Sequence, residues 1–313
     1  MPSHRPAMAT LDREPLRFSL VMTTRGGSRM SAVRRLIDSL GEQAGIEFEL
    51  IVVFQASTVL TAEELVTAHP ELNGAKIVVA PFCPLSRARN IGVRYARFEI
   101  VAFPDDDCWY PAGLLRGVRD RFARSGLGGL CVNTFDPYRS RTYGKRPLHV
   151  QLPIRPSNAF YLPISVGIFV RSNLLAAAAP AGFDEELGVG VRWGAGEESD
   201  LICKLLDNGV PMEYDGRLMV YHETSPYLPA DVPKYRSYGR GFGAVLGKRV
   251  AAGKLSPLLV LADLTLRSVA GILLSAAQLK FVACGVYVNR GRGVVEGFAE
   301  AFCHYRAYPE QAR

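Results

Sequence analysis

Three consecutive carboxylates, Asp105, Asp106 and Asp107, follow directly on an apolar run and a proline in Val101-Ala-Phe-Pro-Asp-Asp-Asp-Cys-Trp-Tyr-Pro111. No other stretch constrains the chain as much. Residues 100–103 read as a buried strand that Pro104 stops. A helix is expected to begin at Pro111 or Ala112. Like charges this close repel, and hydration relieves only part of that. A divalent cation would relieve it, because hard cations combine one or two carboxylates with substrate phosphates. Alternatively, the run simply turns the chain and caps the helix. Open α/β sheets bind ligands at the C-terminal ends of their strands, and the run's position there favours the ligand-binding reading.

The residues before it alternate between strand and helix patterns. A strand at 18–22 ends in Thr23-Thr24-Arg25-Gly26-Gly27, a composition that suits close approach to a ligand and equally an ordinary turn. Val33, Leu36, Ile37 and Leu40 predict a helix over 30–42. A second strand at 48–54 ends in the polar Gln55 and Ser57. Thr61 and Glu64 have the spacing of a capping box, opening a helix to about His69. A third strand covers 75–80. A helix from Leu85 to about Arg97 carries Arg87, Arg89 and Asn90 in its first turns. Arginines there oppose the helix dipole unless an anion such as a diphosphate sits at the same end. The alternation through residue 124 predicts a doubly wound, mostly parallel sheet flanked by helices. The absence of Gly-x-Gly-x-x-Gly and of a P-loop argues against a dinucleotide-redox domain and a P-loop nucleotidase. Six scattered cysteines without a CxxC pair argue against a zinc site or disulfide framework and fit a reducing cytoplasm.

Residues 135–163 break the rhythm with five prolines, three tyrosines and Arg139, Arg141, Lys145 and Arg146, predicting a long irregular loop able to cover a site. A strand at 165–170 and a short helix at 172–179 follow. Glu197, Glu198 and Asp200 then fall in the first turn of a helix whose apolar face is Leu201, Ile202, Leu205 and Leu206, with Gly209 past its end. The helix dipole alone favours carboxylates there. Beside Trp193, one of them would instead serve as a general base. Short strands at 212–214 and 218–221 lead to His222.

In order along the chain, Leu85-Ser-Arg-Ala-Arg-Asn90-Ile-Gly, Phe103-Pro-Asp-Asp-Asp107, Gly196-Glu-Glu-Ser-Asp200-Leu and Tyr221-His222-Glu resemble four blocks of the family 2 glycosyltransferases of the GT-A fold. The resemblance covers roughly residues 16–225. It implies an inverting transferase that moves a sugar from a nucleotide-diphosphate donor to an acceptor hydroxyl on a glycan or lipid-linked glycan, in cell-surface polysaccharide synthesis. Carried over, Asp105 contacts the donor's ribose or sugar. Asp107 holds Mg2+ or Mn2+ against the diphosphate, with His222 and Asp105 as further candidate ligands. Glu198 falls where the family has its catalytic acid, beside Glu197 and near Asp200. Thr23, Thr24, Arg25, Gln55, Ser57, Arg87, Arg89, Asn90 and Asp106 line the nucleotide-sugar pocket, and Trp193 lies on the acceptor side. The family's nucleobase-reading Asp is replaced by Phe54-Gln55, so the base is not specified. That departure favours an alternative, a non-catalytic nucleotide-sugar-binding subunit; a nucleotidyltransferase is a third reading.

Three segments are expected: a flexible tail at 1–15 rather than a signal peptide, a catalytic domain at 16–230 and a helical C-terminal extension at 231–313. Residues 234–313 hold 12 Lys and Arg against 4 Asp and Glu, while residues 1–233 balance to −1. This asymmetry predicts contact with an anionic membrane surface, not nucleic acid, and a peripheral position on the inner face of the cell membrane. Lys248, Arg249, Lys254, Arg290 and Arg292 are the expected contacts. Asp263, Arg267 and Lys280 interrupt the apolar stretch 257–288, which argues against a spanning helix. A bundle packed on the catalytic domain is the other reading of these helices.

Overall fold

Alternation along β1 (Phe18–Thr24) sorts the core into two layers. Phe18, Leu20 and Met22 enter the cluster on one side of the sheet, and Val21 enters that on the other. In this computed structural model, which describes residues 16–56, 61–224 and 227–312, β1 is fully buried. It lies parallel between β2 (Phe48–Ala56) and β4 (Ile100–Ala102), and β3 (Lys76–Pro81) continues the sheet beyond β2. The crossovers are α1 (Met30–Gly41), α2 (Ala62–Ala68) and α3 (Leu85–Val93). α2 starts on the expected capping box: Glu64 N–H donates to Thr61 Oγ1 at 3.1 Å, and Thr61 N–H to the Glu64 carboxylate at 2.7 Å.

The second half adds β5 (Cys108–Trp109), α4 (Leu114–Arg124), β6 (Gly129–Asp136), β7 (Arg141–Thr142), β8 (Gln151–Pro153), β9 (Ile168–Arg171), α5 (Ser172–Ala178), α6 (Glu197–Asp207) and β10 (Met212–His222). The strand order is β3-β2-β1-β4-β9-β6-β10-β5, with β7 on β6 and β8 on β10. β9 runs antiparallel to both β4 and β6, making a mixed, mostly parallel sheet. From β1 the chain builds outward through β2 and β3, then returns to place β4 on the other side. That switch point, between the ends of β1 and β4, is where open α/β sheets bind their ligands.

Local departures from the sequence pattern have local causes. β6 forms where no strand was expected, and β9 and β10 pair with it on either side. The two short strands before His222 are one strand. β10 keeps its pairing with β6 across a register shift between Asp215 and Met219, where Asp215 accepts hydrogen bonds from Arg217 N–H and Nε. α4 begins at Leu114 rather than at Pro111 or Ala112, after Gly113 turns the backbone at φ +80°.

Three α-helices follow among the described residues: α7 (Val232–Ala251), α8 (Pro257–Ala277) and α9 (Phe281–Ala307). Ala244, Val245 and Leu246 of α7 share a core cluster with Trp193 and Leu201. α7 and α9 approach through Gly239, Gly243 and Gly247 on one helix and Gly293 and Gly297 on the other. A Cβ on Gly243 would lie 2.1 Å from the Val294 carbonyl oxygen, and one on Gly297 2.0 Å from that of Arg240. Only hydrogen at Cα permits this spacing. Gly243→Leu is therefore expected to destabilise the fold by about 3 kcal/mol, read as a lower urea midpoint.

The cationic flank of this region differs from expectation. Lys248 is buried between Asp184 (2.6 Å) and Asp200 (3.4 Å), and Arg249 reaches both oxygens of Asp207 at 2.8 and 3.0 Å. Lys254 also pairs with Asp207. Lys248 and Arg249 are buried and hold α7 to the catalytic layers, whereas the paired Lys254 stays partly exposed.

Candidate active site

The three aspartates at the switch point have three different environments. Asp105 forms a bridge with Thr23 at the end of β1 and accepts a hydrogen bond from Arg89 Nη2 at 2.8 Å. Asp106 is buried and fully engaged: Thr24 Oγ1 donates to it at 2.8 Å, and Arg29 Nε lies 2.8 and 2.7 Å from its two oxygens. This corrects its assignment to the donor pocket, because the side chain fastens the β1 and β4 loops together. Asp107 is the open one, with Arg29 Nη2 at 3.0 Å and His222 Nε2 at 3.2 Å. Burial alone would push Asp107 up, but His222 and Arg29 outweigh it and hold the carboxyl below its usual range.

His222 reaches Asp107 because β5 pairs with β10, placing His222 opposite Cys108. Its Nδ1 lies 2.7 Å from the Glu223 carbonyl oxygen and must donate to it. Nε2 therefore faces Asp107, either protonated or with a lone pair free for a cation.

Arg89 connects this carboxylate cluster to the next. Its guanidinium, 2% exposed, donates to Asp105 (2.8 Å), Ser165 Oγ (3.0 Å) and Glu197 (3.3 Å). It was expected to meet a diphosphate at a helix start; instead two internal acids occupy it. Asn90 is likewise structural. It exchanges hydrogen bonds with the Phe183 backbone, giving one at 2.9 Å and taking one at 2.8 Å, and so pins the glycine-rich loop. A Cβ on Gly182 would meet Asn90 Oδ1 at 2.3 Å, and φ of +71° there also calls for glycine. Arg87 is exposed, 3.9 Å from Glu185.

The first turn of α6 separates its acids by environment. Gly196, at φ +93°, brings the helix start against Gly241 of α7. Glu197 is buried on Arg89. Glu198 is half-buried and, among the described residues, forms no ion pair. Burial, followed by the charge of Glu197, pushes its carboxyl up to about 8. Asp200 is removed from the catalytic set: it is buried, with Lys204 at 2.8 Å and Lys248 at 3.4 Å. Trp193 is also corrected. It is 0% exposed within the core, under the Arg192 guanidinium at 4.4 Å, and presents no face to an acceptor.

On the opposite flank, Gln55 is buried and its Oε1 accepts the Cys83 N–H at 3.1 Å. Arg25 is exposed and lies 4.0 Å from the centre of the exposed Phe82 ring, forming a flat cationic shelf. Ser57 lies outside the described residues. Two contributors escaped the sequence reading. Arg29, two residues after Gly27, bridges Asp106 and Asp107. Tyr143 lies 6.0 Å from the His222 ring, so the 135–163 segment does reach the site. The aromatic and cationic composition of that segment was the available signal.

A switch point that gathers strand-end aspartates, with a buried arginine linking them to the acidic first turn of α6, has the organisation of a GT-A glycosyltransferase. Residues 19–178, just over half of the chain, match the model of Glycosyl transferase family 2, and the chain belongs to that family. Among solved structures it is similar to S. aureus TarS 1–349, with a TM-score of 0.54 and 15% identity over 91% of this chain and 92% of that one. The same S. aureus protein in complex with UDP-GlcNAc gives 0.52 and 16% over 91% and 92%, and in complex with UDP 0.52 and 16% over 94% and 92%. At these identities the likeness is one of fold. No curated protein matches the chain.

Proposed function

We propose that this glycosyltransferase inverts the anomeric centre of a nucleotide-diphosphate sugar by single displacement onto an acceptor hydroxyl of a glycan or lipid-linked glycan. The observation that carries this reading is the separation of roles in α6. Glu197 is committed to Arg89, whereas Glu198 keeps a carboxylate without an ion-pair partner, with its affinity for a proton raised. As the acceptor oxygen forms its bond to the sugar C1, Glu198 takes its proton. The C1–O bond to the diphosphate breaks on the opposite face, and the diphosphate leaves with the electron pair. Arg89 sets the spacing between Asp105 and the α6 start, orienting donor and base together. The likeness to a fold seen with UDP-GlcNAc and UDP supports a donor of this kind. The Arg25–Phe82 shelf at the ends of β1 and β3 offers a surface on which a nucleobase would stack.

Among the described residues no three His, Cys, Asp or Glu side chains gather into a metal cage. The residues nevertheless fit a shared cation. Asp107 Oδ1 and His222 Nε2 face the same space 3.2 Å apart, and hard cations complete their shell from substrate phosphates. Mg2+ or Mn2+ there would neutralise charge developing on the leaving diphosphate. Asp107→Ala is expected to keep the fold and lose the metal-dependent part of donor binding. A true donor at about 100 times its Kd stabilises by about 2.7 kcal/mol, so thermal shift with nucleotide sugars, with and without Mn2+, reads the effect. An Asp107→Ala protein with an unchanged Mn2+ requirement would assign the cation elsewhere.

A further inference from the structure

α8 is built inside out. The stripe it turns inward is Pro257, Val260, Leu264, Ser268, Gly271 and Ser275, apolar in its first half and small or polar from Ser268 onward. The Ser268 hydroxyl satisfies itself on the Leu264 carbonyl at 2.9 Å, and Gly271 leaves room for the Tyr287 ring of α9. The large aliphatics point outward: Leu259, Leu266, Leu273 and Leu274 are each at least 63% exposed, and Leu258 and Val269 lie beside them. At 3.6 residues per turn these positions share one continuous face. Water-soluble helices bury their leucines. Small residues inward with leucines outward is the packing of helices whose outer face meets lipid.

The two charges that interrupt α8 lie at the border of that face. Asp263 accepts a hydrogen bond from the Tyr161 hydroxyl and pairs with Arg267 at 2.8 Å, and the Arg267 guanidinium lies 4.6 Å from the Tyr161 ring centre. Asp263, the one acid of α8, has a part-exposed carboxylate that pairs with Arg267, and the exposed Lys280 follows the helix beside exposed Leu279 and Phe281.

We propose that α8 lies along an anionic lipid bilayer with its leucine face among the acyl chains, independently of which donor or acceptor the enzyme uses. By length and composition α8 would also cross a membrane. Its bonds to Tyr161 and its inner stripe on α9 instead hold it sideways against the catalytic fold, parallel to a surface. A second copy of the chain fits less well, because protein interface cores are rich in aromatic residues, Met and Arg, and this face is Leu, Val and Ala. With its one acid, Asp263, paired to Arg267, α8 meets anionic headgroups through the terminal Lys280.

The test is flotation of the full chain with phosphatidylcholine vesicles, with and without phosphatidylglycerol. A Leu266→Glu/Leu273→Glu double variant should fold normally, since both side chains are exposed, with an unchanged urea midpoint as the control. The wild type is expected to float with the anionic vesicles and to be partly released by high salt, and the variant to bind at least about ten-fold less. Absence of wild-type flotation, or equal flotation of the variant, would overturn the proposal. So would a wild-type dimer in solution that the same substitutions dissociate, which would make the face a self-interface. Retention through alkaline carbonate would show a spanning helix and overturn the surface geometry.

Discussion

Glu198→Gln is expected to lower sugar transfer by about 10²-fold or more while donor binding persists, because the amide keeps the shape of the side chain and cannot accept the acceptor's proton. Glu197→Gln should act differently. It removes a buried partner of Arg89, so its loss should appear first in stability. The reverse pattern, with Glu198→Gln active and Glu197→Gln stable but inactive, would transfer the role of base. The pH dependence follows from the same carboxyl. Because burial and the adjacent Glu197 raise the Glu198 carboxyl, it becomes a competent base only as pH rises well above the ordinary carboxylate range, so wild-type transfer should climb with pH and then level off. The stability sign is opposite. A carboxyl whose folded pKa exceeds its unfolded one loses stabilisation as pH rises from the ordinary carboxyl range to about 8. Glu198→Gln should therefore unfold at a higher temperature than the wild type at pH 9, and the difference should shrink in acid.

The second large effect is expected at Arg89. Arg89→Met leaves Asp105 and Glu197 facing one another without their cation, and breaking a buried pair on one side costs about 3–5 kcal/mol. Activity should fall with it, since both the strand-end carboxylate and the α6 start lose their common tether. Arg89→Lys should recover little, because one ammonium on a flexible stem cannot reproduce a planar fork that reaches Asp105, Glu197 and Ser165. Urea unfolding of the three proteins measures this. A Met variant within 1 kcal/mol of wild type would remove Arg89 from the centre of the site.

What the sequence discloses and conceals follows the range of the interactions involved. β1 to β4, α1 and the capping box of α2 are written in local period and local hydrogen bonds, so they are legible. β10 is concealed by the bulge after Asp215, whose polar residues resemble a break although pairing with β6 resumes beyond it. Roles are harder to read than elements. Asp105, Asp106 and Asp107 are adjacent and chemically alike, yet one is paired with Arg89, one fixed by Thr24 and Arg29, and one shared between Arg29 and His222. Their partners come from other elements of the fold. Glu197 and Glu198 are told apart only once Arg89, 108 residues away from Glu197, selects one of them.

The C-terminal charges show the same limit. Lys248 and Arg249 read as surface cations beside an apolar stretch. In the fold they meet Asp184, Asp200 and Asp207, so the net charge of that quarter overstates the charge it presents to solvent. Conversely, Asp263 and Arg267 read as interruptions of an apolar helix, whereas in the fold they pair with each other beside Tyr161, next to the exposed leucines.

The most direct test of the account is proton NMR of the purified chain turning over its nucleotide sugar, selected from a donor panel with Mn2+ and an acceptor hydroxyl or water. The account predicts a newly formed anomeric centre of configuration opposite to that of the donor, released nucleoside diphosphate, and loss of both signals in Glu198→Gln. Retention of the donor's configuration, or equal turnover by the Gln variant, would contradict it.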